Sequence, residues 1–149
     1  MINLMLQNRQ PIIYGDGEQK RSFSDVEDCI YCINKLATDK DIKSELVNIG
    51  PGPENEITIN ELFRKISNQL KYNQEPLYKP ERINEVKNAI CSSSLAEKLF
   101  RKKSNEDIDS ILSKMIKFIK IKGPKKFSYT YEIEINNELT PETWSKKLI

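Results

Sequence analysis

The sequence predicts an α/β fold: a small mixed lobe of short strands set between about five helices. Three observations carry that expectation. Apolar residues recur at helical spacing, as in Ile59, Leu62, Phe63, Ile66 and Leu70. Short apolar runs such as Ile12 to Tyr14 end in glycine or proline turns. No long series of strand–helix–strand units is present, so a full parallel sheet is not expected.

In chain order, residues 1–10 read as a helix with Ile2, Leu4, Met5 and Leu6 apolar and no N-cap ahead of it, which points to a fragment of a longer chain. A strand over Ile12 to Tyr14 runs into the turn Gly15-Asp16-Gly17, where glycine takes positive φ without steric cost. Ser24 is the expected N-cap of the next helix, with Asp25, Glu27 and Asp28 near its positive end. Val26, Cys29, Ile30, Ile33 and Leu36 fall on one face of that helix. Leu46 to Ile49 reads as a second short strand before a Gly-Pro turn. Thr58 and Glu61 form a capping box, each satisfying an orphan N–H of the other.

Pro76 and Pro80 bracket an extended piece, and Glu81 to Glu85 form a polar loop that contains Arg82. Ser92 or Ser93 opens a short helix holding Leu95, Leu99 and Phe100. The longest helix starts at Ser104 to Asp107, with a stripe of Ile108, Ile111, Leu112, Met115, Phe118 and Ile119, and stops at Gly123-Pro124. From Phe127 to Ile135 apolar and polar residues alternate, which predicts a half-buried strand. Thr140 is the expected N-cap, with Pro141 as first residue, of a last helix through Trp144. The chain therefore divides into a body, residues 1–122, and a strand–helix extension, residues 123–149, packed on or beside it.

At 149 residues there is room for one domain with a real core. Lys plus Arg number 24 against 22 acids, so a net charge of +2 gives no strong pull on nucleic acid or membrane surface. No apolar run reaches the roughly 20 residues of a membrane helix, and residues 1–10 lack the pattern of a signal peptide. Three cysteines without framework spacing suit a reducing cytoplasm. Cys29 and Cys32 read as two small apolar side chains one helical turn apart. The absence of histidine removes the usual general base and the commonest zinc ligand. Neither glycine pair extends to a phosphate-binding signature, and prolines 51 and 53 remove N–H donors such a cradle needs. Tyr31 and Lys35 give a Y-x-x-x-K spacing, which also describes two ordinary neighbours on a helix.

Arg21 stands beside Phe23, just after the glycine turn. A guanidinium there can donate two parallel hydrogen bonds to phosphate oxygens, or can be solvated next to Lys20. Arg82, in its loop, carries the same two readings.

These segments together resemble a family. The order YGDGEQ-x-R-x-F, V-x-D, V-x-NIG-x-G, I-x-EL and R-x-x-EV is similar to the C-terminal half of the NAD-dependent nucleotide-sugar epimerases and dehydratases, the extended short-chain dehydrogenases. The likeness runs from about Met1 to Ile121. The LTPETW ending looks like members acting in surface-polysaccharide synthesis. The resemblance implies that Arg21 grips a nucleotide diphosphate and that Arg82 closes on it from a later loop. It implies that the strand from Ile12 reads the pyrimidine edge, with Tyr14 lining the base. Asn48 matches the asparagine of the NIG element near the nucleotide, and Glu85 an acid used toward the ribose hydroxyls. Ser22 stands where the family has aspartate, Asn84 where it has glycine before Glu85, and Asn88 where histidine is common.

The family's dinucleotide glycine motif and its catalytic Tyr-x-x-x-Lys lie upstream of the matching region. The resemblance thus implies a substrate-binding domain that lacks the Rossmann half, without catalytic residues, metal or NAD of its own. NAD is expected in an N-terminal Rossmann domain as partner, and the ligand is a nucleotide sugar, a UDP-sugar being favoured. The parent reaction would be an isomerase or lyase reaction in the cytoplasm. The alternative is a non-enzymatic interaction module that docks on a separate Rossmann chain or a complex.

Overall fold

A computed structural model describes residues 1–43, 46–52, 56–101, 107–129 and 136–148. The order is α1 (Ile2–Leu6), β1 (Ile12–Tyr14), β2 (Lys20–Ser22), α2 (Val26–Thr38), β3 (Glu56–Thr58), α3 (Ile59–Leu70), β4 (Leu77–Lys79), β5 (Asn88–Ala89), α4 (Ser94–Phe100), α5 (Ile108–Lys122) and α6 (Glu142–Ser145). The expected α/β class and its small mixed sheets are therefore present. Parallel strands β1 and β4 pair with Ile12 opposite Leu77 and Tyr14 opposite Lys79. β2 is the middle of a three-stranded sheet, antiparallel to β3 and parallel to β5.

The main core is built where α1, β1, α3 and α5 meet. Ile2, Met5, Ile13, Phe63, Ile66 and Leu112 are buried there together. α3 begins as expected: Thr58 Oγ1 accepts the Glu61 N–H at 3.0 Å, and Glu61 accepts the Thr58 N–H at 2.8 Å. A second core joins α2 to α4 through Cys32, Ala96 and Phe100. Cys32 thus serves packing, and the Tyr31 hydroxyl donates to the Phe100 carbonyl at 3.4 Å.

Several expectations change. Asp25, not Ser24, caps α2: its carboxylate accepts the Glu27 N–H at 2.8 Å and pairs with Lys114 of α5 at 2.9 Å. A charged acceptor with a cation behind it outcompetes a hydroxyl for that position. Leu46 to Ile49 is not a strand; Val47 and Ile49 pack on the second core instead. The apolar face of α2 faces outward, with Val26 67%, Ile30 52% and Ile33 60% exposed. On α5 the buried residues are Ile111, Leu112 and Ile116, while Met115 and Phe118 are exposed.

Nothing in Lys-Arg-Ser, Glu-Ile-Thr or Asn-Ala predicts β2, β3 or β5, since none shows an apolar alternation. Six helices, rather than about five, occur among the described residues. Of the expected start of α5, residues 104–106 lie outside the described residues, and Asp107 accepts the Ser110 N–H at 2.9 Å as the cap. α6 starts at Glu142 with Pro141 as its cap; Thr140 Oγ1 accepts the Asn137 N–H at 3.0 Å instead. Of the predicted strand from Phe127, residues 130–135 lie outside the described residues, and 127–129 are not a strand.

Candidate functional site

The glycine turn between β1 and β2 is fixed by α3. Gly15 and Gly17 both take positive φ, +71° and +76°. The Gly17 carbonyl accepts the Asn60 N–H at 3.0 Å, and Asn60 Nδ2 donates to the Asp16 carbonyl at 2.9 Å. A Cβ on Gly17 would overlap the Asn60 side chain. Asn60 Oδ1 also accepts the Tyr78 hydroxyl at 2.9 Å, so one residue of α3 ties the turn to β4. The chain leaves this turn in the register that places Arg21 in the middle of β2.

Arg21 is anchored on three sides. Its Nη1 donates to the carbonyls of Lys20 at 2.7 Å and Lys87 at 3.2 Å, and its Nη2 to Glu85 Oε1 at 3.2 Å. Both members of the ion pair are about three-quarters buried or more. The pair joins β2 to the loop ahead of β5. That loop turns at Asn84, with φ of +62°, and the Glu85 N–H donates to the Arg82 carbonyl at 3.3 Å. Asparagine is one of the few non-glycine residues that suit such a backbone.

Arg82 belongs to the same loop and is exposed, with its guanidinium carbon 4.2 Å from the centroid of the Tyr14 ring. Tyr14 is buried at the end of β1. Beside these groups lies a cavity of about 60 Å³ lined by Tyr14, Asp16, Gln19, Glu81, Glu85 and Lys87, with Gly15 completing the wall. Gln19 Nε2 donates to the Tyr14 carbonyl at 2.9 Å, and its buried Oε1 has no partner among the described residues.

The fold thus brings Tyr14 of β1, Arg21 of β2, and Arg82 and Glu85 of the loop ahead of β5 into one neighbourhood. Ile12 sits on the same strand as Tyr14, opposite Leu77. Asn48 is exposed in the stretch 46–52 and does not line that cavity.

Sequence reasoning missed several residues that hold this arrangement. Asn60 fixes the turn, and the Lys87 carbonyl receives both Arg21 and the Lys20 N–H. Thr143, 129 residues from Tyr14, bonds to the Tyr14 hydroxyl, and Glu142 of α6 pairs with Lys79 of β4 at 3.2 Å. Their signals are not local, apart from the short Thr-Pro-Glu start of the last helix. No group of three or more His, Cys, Asp or Glu able to hold a metal occurs among the described residues. No helix among them is long and apolar enough to cross a membrane.

No family model matches the chain. It is 39% identical over 98 residues to an inferred UDP-glucose 4-epimerase of Methanocaldococcus jannaschii, a stretch that is 66% of this chain and 30% of that protein. The solved UDP-glucose 4-epimerase of Thermotoga maritima, with UDP-glucose, superposes with a TM-score of 0.74 at 27% identity, over 81% of this chain and 38% of that one. The UDP-glucuronic acid 4-epimerase of Bacillus cereus, in complex with UDP-glucuronic acid and NAD, gives 0.73 at 26% identity, over 82% and 38%. The chain thus spans about a third of the length of the proteins it matches. In sequence and in fold, the chain is similar to the C-terminal region of nucleotide-sugar 4-epimerases.

Proposed function

We propose that this chain is the substrate-binding domain of a nucleotide-sugar epimerase or dehydratase. It holds the diphosphate and base of a UDP-sugar, and the chemistry belongs to a cofactor domain outside it, in a cytoplasmic setting. The observation that carries the reading is that Glu85, the ion-pair partner of Arg21, and Tyr14, the ring beneath Arg82, line one cavity. Two planar guanidinium groups suit two adjacent phosphates. The UDP-sugars bound by the similar structures support the ligand class.

NAD fits these residues poorly. The N-terminus of the helix after the glycine turn, α2, is already occupied by the Asp25 carboxylate, which accepts the Glu27 N–H. The N-terminus of α3 is closed by its own capping box. A separate Rossmann domain is therefore the partner in this reading, and the outward apolar face of α2 is where it would dock. That same face favours the second reading, an interaction module with no ligand of its own.

Titration of the 149-residue chain with UDP, followed by NMR, separates the two. Shifts centred on Tyr14, Arg21 and Arg82 are expected. No response at millimolar UDP would leave only the docking module.

A further inference from the structure

We propose that the segment around Thr143 completes the binding site: it fixes the Tyr14 ring in the orientation that Arg82 covers, and so sets affinity for the nucleotide. This rests on the reading of Tyr14 and Arg82 as ligand-holding residues. The Tyr14 hydroxyl donates to Thr143 Oγ1 at 3.1 Å and accepts the Thr143 N–H at 2.8 Å. Both residues are buried, at 6% and 7% exposure. A phenol held by a donor and an acceptor of one residue has its ring position fixed at the far end, while β1 fixes the near end.

Thr143 is itself held. Its carbonyl accepts the Tyr129 hydroxyl at 2.9 Å, and Phe127 packs edge-on against Tyr129 and Trp144 at 4.7 and 6.0 Å between centroids. Glu142 pairs with Lys79, the register partner of Tyr14 on β4. The last helix therefore grips both strands beside the cavity. Arg82, on an exposed loop, has the ring as its platform; a ring free to tilt would let the guanidinium move away from the site.

Thr143→Val removes the hydroxyl and keeps the shape and the backbone donor. In the full chain it is expected to bind UDP roughly fivefold more weakly, the factor one neutral hydrogen bond supplies. Thr143→Ser is expected to restore affinity, and neither change should move the thermal midpoint by more than a few degrees. Trp144, the single tryptophan, reports whether the segment stays docked. If Arg82→Ala weakens UDP binding and Thr143→Val does not, this proposal is overturned and the underlying reading stands. If the unaltered chain does not bind UDP, both fall. Should Thr143→Val fail to fold, Tyr14→Phe removes that bond from the other side, together with the one from the Thr143 N–H, and is judged by the same outcomes.

Discussion

Arg21 and Glu85 form an ion pair at 3.2 Å across 64 residues of chain, joining the middle strand to the loop that carries Arg82. The pair ties β2 to a residue that lines the cavity, Glu85, and it tethers the loop. Arg21→Ala is expected to weaken UDP binding by roughly tenfold or more, and to cost about 1 kcal/mol of stability because the pair is only partly shielded from solvent. Arg21→Lys should not restore binding, since an ammonium cannot reach two carbonyls and a carboxylate with one fork. Calorimetric titration and urea unfolding of the same variants check both parts.

Arg82 offers the contrast. It is exposed and its side chain's described contact is the Tyr14 ring, so Arg82→Ala should change stability by less than about 0.5 kcal/mol. UDP affinity is expected to fall by roughly ten- to a hundredfold, the worth of charge-assisted hydrogen bonds. A variant with unaltered affinity would remove Arg82 from the site.

The two turn glycines should respond differently to alanine. Both have positive φ, which costs an L-residue about 1–2 kcal/mol. At Gly15 the nearest atom to a new Cβ is 3.7 Å away, so that backbone cost is the whole effect. At Gly17 the Cβ would also displace Asn60, which holds the turn through its own N–H and Nδ2. Gly17→Ala is therefore expected to lose about 1–3 kcal/mol more than Gly15→Ala in urea unfolding. Equal losses would mean that Asn60 moves aside without consequence.

Local chemistry explains what can be read in advance. The capping box of Thr58 and Glu61, the proline-bracketed β4 and the stop at Gly123 involve residues within a few positions of each other. β2 and β5 are different: Lys-Arg-Ser and Asn-Ala become strands only because distant segments pair with them. Leu46 to Ile49 has the composition of a strand, but Val47 and Ile49 pack on the second core and pair with no strand among the described residues. The periodicity of α2 is legible, yet period says which residues share a face and not what covers them. Likewise the likeness to a family marks Arg21 and Arg82, whereas the Tyr14–Thr143 contact spans 129 residues and leaves no sequence signal.

Acid should release the last helix. The Glu142 carboxyl is held below the usual carboxylate range, first by the hydrogen bond from Lys146 and then by Lys79, with burial opposing both. A carboxyl whose folded pKa is depressed binds fewer protons in the folded state than in the unfolded one. Its contribution is therefore complete above the ordinary value of 4.5 and is lost as pH falls through the lower folded value. Glu61, held down by the Thr58 backbone N–H, has the same sign, so α3 loosens in the same direction. The two are told apart by probe: Trp144 emission follows the last helix, and far-UV circular dichroism follows the helices as a whole. In Glu142→Gln the Trp144 signal should lose its acid step and report a looser segment already at neutral pH. An acid step that persists unchanged in that variant would show that the pairing of Glu142 with Lys79 does not hold the segment in place.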